Sequence, residues 1–143
     1  MNANLGEIQE QRSGEANTGR ERHMAAALYG ELRLAMARAA AVWRDCGVEA
    51  GETVAIALAS HAEVIVACLG VARAGGVALV VDPTRSPREI EQLWLDGRWR
   101  FILAESREDQ AAAIRDFVLT RAEWQQALKS ARPFTESRAT IAE

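Results

Sequence analysis

The side chains that could do chemistry in this sequence are few and scattered. Its two histidines are His23 and His61, and its two cysteines are Cys46 and Cys68. They are too few and too far apart in sequence to form a zinc pattern. His61 follows an apolar run and opens a helix, and open α/β sheets bind ligands at that end of a strand. The same position is also an ordinary solvent-side residue of a first helical turn, and an isolated histidine favours that second reading. Asp82-Pro83-Thr84 follows the next apolar run, where an Asx hydrogen bond and the fixed proline φ make a turn. A phosphate site needs glycines that let backbone amides approach the anion, usually at a helix N-terminus. The ten glycines spell neither G-x-G-x-x-G nor G-x-x-x-x-G-K-[ST]. Gly75 and Gly76 fall at a helix C-terminus, whose dipole repels phosphate. The sequence therefore assigns no catalytic and no metal-binding residue, and it leaves cofactor-binding residues unknown.

The elements that would position such residues are clearer. Residues 1–23 are polar, with only Leu5 and Ile8 as large aliphatic side chains, and they read as a flexible arm unable to bury enough surface to offset ordering. From residue 24, Leu28, Leu32, Met36, Ala39 and Trp43 recur at helical spacing as one apolar stripe. Gly47 and Val48 form a Schellman-type stop. Residues 53–59 are a continuous apolar run of the kind found in strands covered on both faces. Ser60 and Glu63 make a capping box, opening a helix that is apolar on nearly every side until Gly75-Gly76 ends it. Residues 77–81 form the next strand, and parallel strands joined by a helix need such a crossover.

The pattern then repeats. Ser86, Pro87 and Glu89 open a helix whose inward stripe is Ile90, Leu93 and Trp94 and which ends at Gly97. Residues 101–104 are a third strand, Ser106 with Asp109 starts a further helix, residues 117–119 are a fourth strand, and Thr120 with Glu123 caps the last helix. Beyond residue 131 periodicity is lost. The expected fold is α/β, a small, open, mainly parallel sheet with flanking helices, preceded by the arm, with an ordered part over 24–131 and a linker-like tail over 132–143. Of the four tryptophans, Trp43 and Trp94 sit on inward stripes and belong to the core. The Arg98-Trp99-Arg100 patch reads as more exposed, either a loop before a strand or an interface.

Bulk composition narrows the class further. At 143 residues the chain has the size of one domain, and 49% hydrophobic with 26% charged residues describes a folded protein rather than a disordered one. A net charge of −3 with dispersed arginines lacks the basic face that nucleic acid requires. Cys46 and Cys68 read as free thiols within helices. No apolar run reaches membrane-spanning length, and no leader-like segment opens the chain. A cytoplasmic location without membrane or nucleic-acid partners is expected.

Several short stretches together resemble the N-terminal part of the adenylate-forming (AMP-binding) enzymes, among them acyl-CoA synthetases. Leu28-Tyr29-Gly30-Glu31-Leu32 and Gly47-Val48-Glu49-Ala50-Gly51-Glu52-Thr53-Val54-Ala55 are similar to the family's entry helix and first turn and strand. Ser60-His61-Ala62-Glu63, Ala74-Gly75-Gly76, Asp82-Pro83 and Ser86-Pro87-Arg88-Glu89-Ile90 follow in the family's order. The sequence departs at Ala59, where the family often has Asn, and at Leu28, whose motif lacks the usual Thr. It also ends at Glu143 short of the family's Ser/Thr/Gly-rich phosphate loop.

The resemblance implies, for the whole enzyme, ATP, Mg and CoA and a two-step conversion of carboxylate to acyl-adenylate and then thioester. For this chain alone it implies a scaffold segment of such a ligase, without cofactor and inactive. The partner would be the remainder of a ligase, or another protein met through apolar surface. The alternatives are a non-enzymatic interaction module, a trans-complementing half of a split ligase, and an unrelated small Rossmann-like binder.

Overall fold

A computed structural model describes residues 3–133, with side chains from residue 18 onward. The elements run in the order α1 (Ala3–Asp45), β1 (Thr53–Ala57), α2 (His61–Arg73), β2 (Val77–Val80), α3 (Pro87–Gly97), β3 (Phe101–Ala104), a 3-10 helix (Ala112–Phe117), β4 (Val118–Thr120) and α4 (Arg121–Ser130). The chain divides into two units, Met1–Arg33 and Leu34–Glu143.

In the first unit the described residues are helical. Helix α1 takes in residues 3–23, the polar stretch expected as an arm. From Thr18 through Glu31 every residue is exposed save half-buried Gly19, so this stretch of helix rests on the propensity of Glu, Arg and Ala rather than on a core. Leu28, expected on the buried stripe, is 61% exposed. The stripe is buried only further along, at Ala39 and Trp43.

The second unit is a three-layer sandwich around one parallel sheet of order β2-β1-β3-β4. Side chains alternate between its faces. Val54, Ile56 and Leu103 join Ala39, Ala40 and Trp43 of α1, Ala67 and Val71 of α2 and Trp124 of α4 in one core. Ala55, Ala57, Ile102 and Ala104 join Ile90 of α3, Trp99 and Ile114 of the 3-10 helix in the other. Central β1, enclosed on both faces, is the near-continuous apolar run that burial demands. The fold is thus the small, open α/β sheet with flanking helices that periodicity indicates.

Capping explains most boundaries. At the end of α1, Val48 N–H donates to Trp43 O at 3.0 Å and Gly47 N–H to Arg44 O at 3.0 Å. Gly47 has φ +95°, the left-handed turn of a Schellman cap, and Val48 folds back into the core. Gly75 closes α2 in the same way, with Gly76 N–H donating to Val71 O at 2.9 Å. Thr120 and Glu123 form the complete capping box expected of α4.

Helix α3 ends at Gly97 as expected, with the left-handed turn one residue on, at Arg98, φ 49°. A Cβ at Gly97 would lie 2.5 Å from Nε1 of Trp99. Two local expectations are corrected. After Ser106 no α-helix forms. Asp109 N–H reaches Ser106 Oγ at 3.4 Å, but the chain then turns, Arg115 holds the carbonyls of Gln110 and Glu108, and only the 3-10 helix follows. Residues 105–117 make the shortest of the three crossovers, and the turn and the 3-10 helix take up their length. Trp99, read as part of an exposed patch, is buried at 4% exposure, while Arg100 pairs with Glu52 and covers Phe101.

Candidate functional site

In a doubly wound sheet, ligands enter at the carboxyl ends of the strands where the strand order reverses. Here β2 lies on one side of β1 and β3 on the other, so the reversal falls between the ends of β1 and β3. That crevice is spanned by the protein itself. Ala59 N–H donates to Glu105 Oε1 at 3.0 Å, from the loop after β1 to the residue after β3.

Beside it, the N-termini of α2 and α4 are tied together. Arg121 presents a fork to Glu63, with Nε to Oε2 at 2.9 Å and Nη2 to Oε1 at 2.7 Å, and Gln125 Nε2 reaches Oε1 at 3.3 Å. The planar guanidinium suits this bidentate geometry. The expected Ser60–Glu63 capping box is consequently half made. Ser60 Oγ accepts from Glu63 N–H, but the carboxylate turns to Arg121 instead of back to the serine. On the outer strand, Arg107 donates to Val118 O at 2.9 Å and pairs with Glu123.

The electrostatics follow from these pairings. The hydrogen bond from Arg121 holds the Glu63 carboxyl below its ordinary range, outweighing the opposing effect of burial. Burial works against the charge on Glu123, but the Thr120 amide and hydroxyl and Arg107 together outweigh it, so its pKa is lowered as well. Asp82 is lowered by Thr84 Oγ1 at 2.7 Å and Thr84 N–H at 2.8 Å, the Asx turn anticipated for Asp-Pro-Thr. None of these carboxyls is raised toward neutrality, as a general acid would be. Burial pushes the Cys46 and Cys68 thiols up, with Asp45 and Glu123 adding to the effect at Cys46. Reactive thiols are shifted the other way.

A folded-state pKa below the unfolded value means stability that is fully present above the ordinary carboxylate range and is lost as pH falls through the lowered value. Glu63 accordingly contributes at neutral pH and stops contributing in acid. Arg121→Gln is expected to raise the Glu63 pKa and to flatten the acid limb of stability between about pH 5 and pH 3. Carboxyl-carbon NMR titration together with urea unfolding at several pH values checks both. An unchanged Glu63 titration would rule out the pairing.

The residues singled out by sequence do not converge. His61 is exposed at the start of α2, whereas His23 lies in the other unit. Among the described residues no group of three or more His, Cys, Asp or Glu side chains is placed to hold a metal ion. Grooves lie elsewhere, for example an open one of about 280 Å³ lined by Val42, Asp45, Cys46, Ala127, Ser130 and Ala131. Sequence reasoning missed Glu105 and Arg121. Their partners are 46 and 58 residues away, and no local pattern signals them. Among the described residues no helix is long and apolar enough to cross a membrane.

Comparison with known proteins places this geometry in context. The sequence profile described as "AMP-binding enzyme" matches residues 21–140. An acetyl-coenzyme A synthetase of Bdellovibrio bacteriovorus is 39% identical over 93 residues, covering 63% of this chain and 14% of that protein. Bacitracin synthase 3 of Bacillus licheniformis is 33% identical over 90 residues, 63% of this chain and 1% of that protein. Among solved structures, MatB from Rhodopseudomonas palustris in its apo form superposes with a TM-score of 0.68 at 24% identity, over 76% of this chain and 24% of that one. The N-terminal subdomain of Klebsiella oxytoca NpsA, in complex with 3-hydroxyanthranilyl-AMSN, gives 0.66 at 18% identity, over 76% and 27%. The chain thus spans between a hundredth and about a quarter of the length of these proteins.

Proposed function

Because this chain belongs to the AMP-binding enzyme family, we propose that it is the N-terminal segment of an ATP-dependent, adenylate-forming carboxylate ligase of the acyl-CoA synthetase kind, acting as scaffold and inactive alone. In this reading residues 24–131 are an α/β part of the ligase's N-terminal domain. The observation that carries it is the state of the sheet's carboxyl edge. Where an α/β enzyme would present groups to substrate, Glu105, Glu63 and Arg121 are engaged with the protein itself.

ATP and Mg, which the family uses, need phosphate charge neutralised and held in line with the attacking group. The described residues do not fit that task. They bring no cluster of metal ligands together, and the N-termini of α2, α3 and α4 are capped by Ser60, Ser86 and Thr120 rather than preceded by a glycine loop. No chemical step is therefore assigned to residues of this chain. Its contribution is positional.

The test has two arms. The purified chain is expected to show no carboxylate-dependent pyrophosphate exchange, and robust exchange would overturn inactivity. Substituting this chain's matching residues for the corresponding 93 residues of the Bdellovibrio acetyl-coenzyme A synthetase is expected to leave acetate-dependent exchange in the chimera. A folded chimera without exchange would overturn the ligase reading. A second reading, a docking module with no activity of its own, draws on the exposed apolar residues Val77 and Val80 of β2. It predicts a chain that binds a partner protein yet cannot restore exchange in the chimera.

A further inference from the structure

The grooves of the α/β unit differ in charge. Those near the ends of α1 and α4 include Asp45, and the one at the start of α3 includes Glu89. A further open groove of about 240 Å³ is lined by Ala35 and Arg38 of α1, Val66 of α2, and Leu128 and Lys129 of α4, with no acid among them. Val66 and Leu128 are half-buried and pack on the core, so they make an apolar floor. Arg38 and Lys129 are exposed and carry their charges at the rim.

Neither cation has a hydrogen-bonding or ionic partner among the described residues, whereas Arg85, Arg100, Arg107 and Arg121 each pair with a glutamate. The residues three and four positions from Arg38 are Leu34, Ala35, Ala41 and Val42, and those from Lys129 are Gln125, Gln126, Arg132 and Pro133. Neither helix therefore supplies an acid one turn away. Lys129 has one local role, since it lies in the last turn of α4, where a cation offsets the helix dipole. Arg38, about two turns before the end of α1, has no such role. Two like charges on one apolar groove, in a chain of net charge −3, repel each other until an anion lies between them.

We propose that this groove binds an amphiphilic anion, a short apolar chain that lies over Ala35, Val66 and Leu128 and ends in a carboxylate or phosphate held between Arg38 and Lys129. A guanidinium and an ammonium each accept either head group. A groove of this volume takes roughly eight water-sized groups at about 30 Å³ each, hence a chain of about that many carbons. The site is separate from the crevice between β1 and β3, since Leu128 lies about two turns along α4 from Arg121. It goes beyond the ligase-segment reading and does not depend on it.

The experiment titrates the full chain with octanoate and with octyl phosphate, each below its micelle-forming concentration, and follows the backbone amide shifts. Saturating shifts are expected at residues 34–38, 65–67 and 127–130, with a dissociation constant in the millimolar range or tighter for a ligand of this size. Octan-1-ol, which lacks the charge, and acetate, which lacks the chain, are expected to bind at least roughly tenfold more weakly. The tighter of the two octyl anions identifies the head group. Arg38→Gln combined with Lys129→Gln is expected to weaken both anions by a similar factor, and Arg38→Lys combined with Lys129→Arg to retain binding. Both positions are exposed, so these variants should keep the circular dichroism of the parent. Shifts that do not saturate, octan-1-ol binding as tightly as the anions, or full affinity in the double glutamine variant would each overturn the proposal.

Discussion

Trp43→Ala is expected to lower the stability of the α/β unit by about 3–5 kcal/mol, the range for deleting a fully buried aromatic side chain. Trp43 is at 0% exposure and stands where α1, α2 and α4 meet. Its ring stacks on Trp124 with centroids 4.8 Å apart and planes inclined by 29°. Its indole N–H donates to Ala67 O at 3.3 Å. Since a domain of this size holds only about 5–15 kcal/mol in total, the loss would take a large part of the margin and lower Tm by roughly 15 °C or more. Trp43→Phe keeps a ring against Trp124 and forfeits little beyond one long hydrogen bond and some volume, so its cost should be far smaller. Urea unfolding of both variants, followed by circular dichroism, checks the ordering. A Trp43→Ala loss below about 1 kcal/mol would show that this helix junction is not the centre of the core.

The ring stack also tests how the sequence encodes the fold. The stripe through Ala39 and Trp43 makes Trp43 a core residue on periodicity alone. Nothing local marks Trp124 as its partner, because contact across helices depends on which elements the sheet brings together. The same division recurs throughout. The Schellman cap at Gly47, the N-caps at Ser60, Ser86 and Thr120 and the strand at Phe101–Ala104 are written in neighbouring residues and can be read there. The segment after Ser106 carried a correct capping hydrogen bond yet no α-helix, since a cap marks where a helix can begin and does not by itself offset the cost of nucleating one.

At the carboxyl edge of the sheet, local grammar was overruled by a distant charge. Ser60-x-x-Glu63 has the composition of a reciprocal box, but a guanidinium offers two hydrogen bonds where the serine amide offers one. Arg121 therefore captures the carboxylate. Glu105 closing onto Ala59 N–H was equally illegible, since it depends on β1 and β3 being neighbours despite the intervening β2 and α3. The motifs that carry the family likeness lie in caps and strands, whereas the groups that close the crevice do not. That separation is why fold and family are legible in the sequence while the ties that close the crevice are not.

The second large effect is expected at a residue whose sequence context suggests the opposite sign. Gly70 lies inside α2, where a glycine ordinarily weakens a helix and Gly→Ala should stabilise by about 1 kcal/mol. In this fold an added Cβ would meet Ala39 Cβ at 2.4 Å and the α1 backbone at Ala39 C, 3.0 Å, and Ala40 N, 3.1 Å. Two of these atoms are main chain and cannot rotate away, so α1 and α2 would have to separate. They cannot do so without disturbing Trp43, Ala67 and Val71 around them. Overpacking of this kind costs about 1–3 kcal/mol and more where backbone must shift, which exceeds the propensity gain. Gly70→Ala is therefore expected to be destabilising by about 1–2 kcal/mol on balance, and Gly70→Val by more. The diagnostic variant is the double substitution Gly70→Ala with Ala39→Gly, which exchanges the methyl group between the two helices and relieves the 2.4 Å contact. Its loss should be smaller than the sum of the two single losses, a coupling measurable by a double-mutant cycle in urea. Additive losses, or a Gly70→Ala variant more stable than the parent, would mean that the helices do not approach as closely as described and that Gly70 is only a weak point in α2.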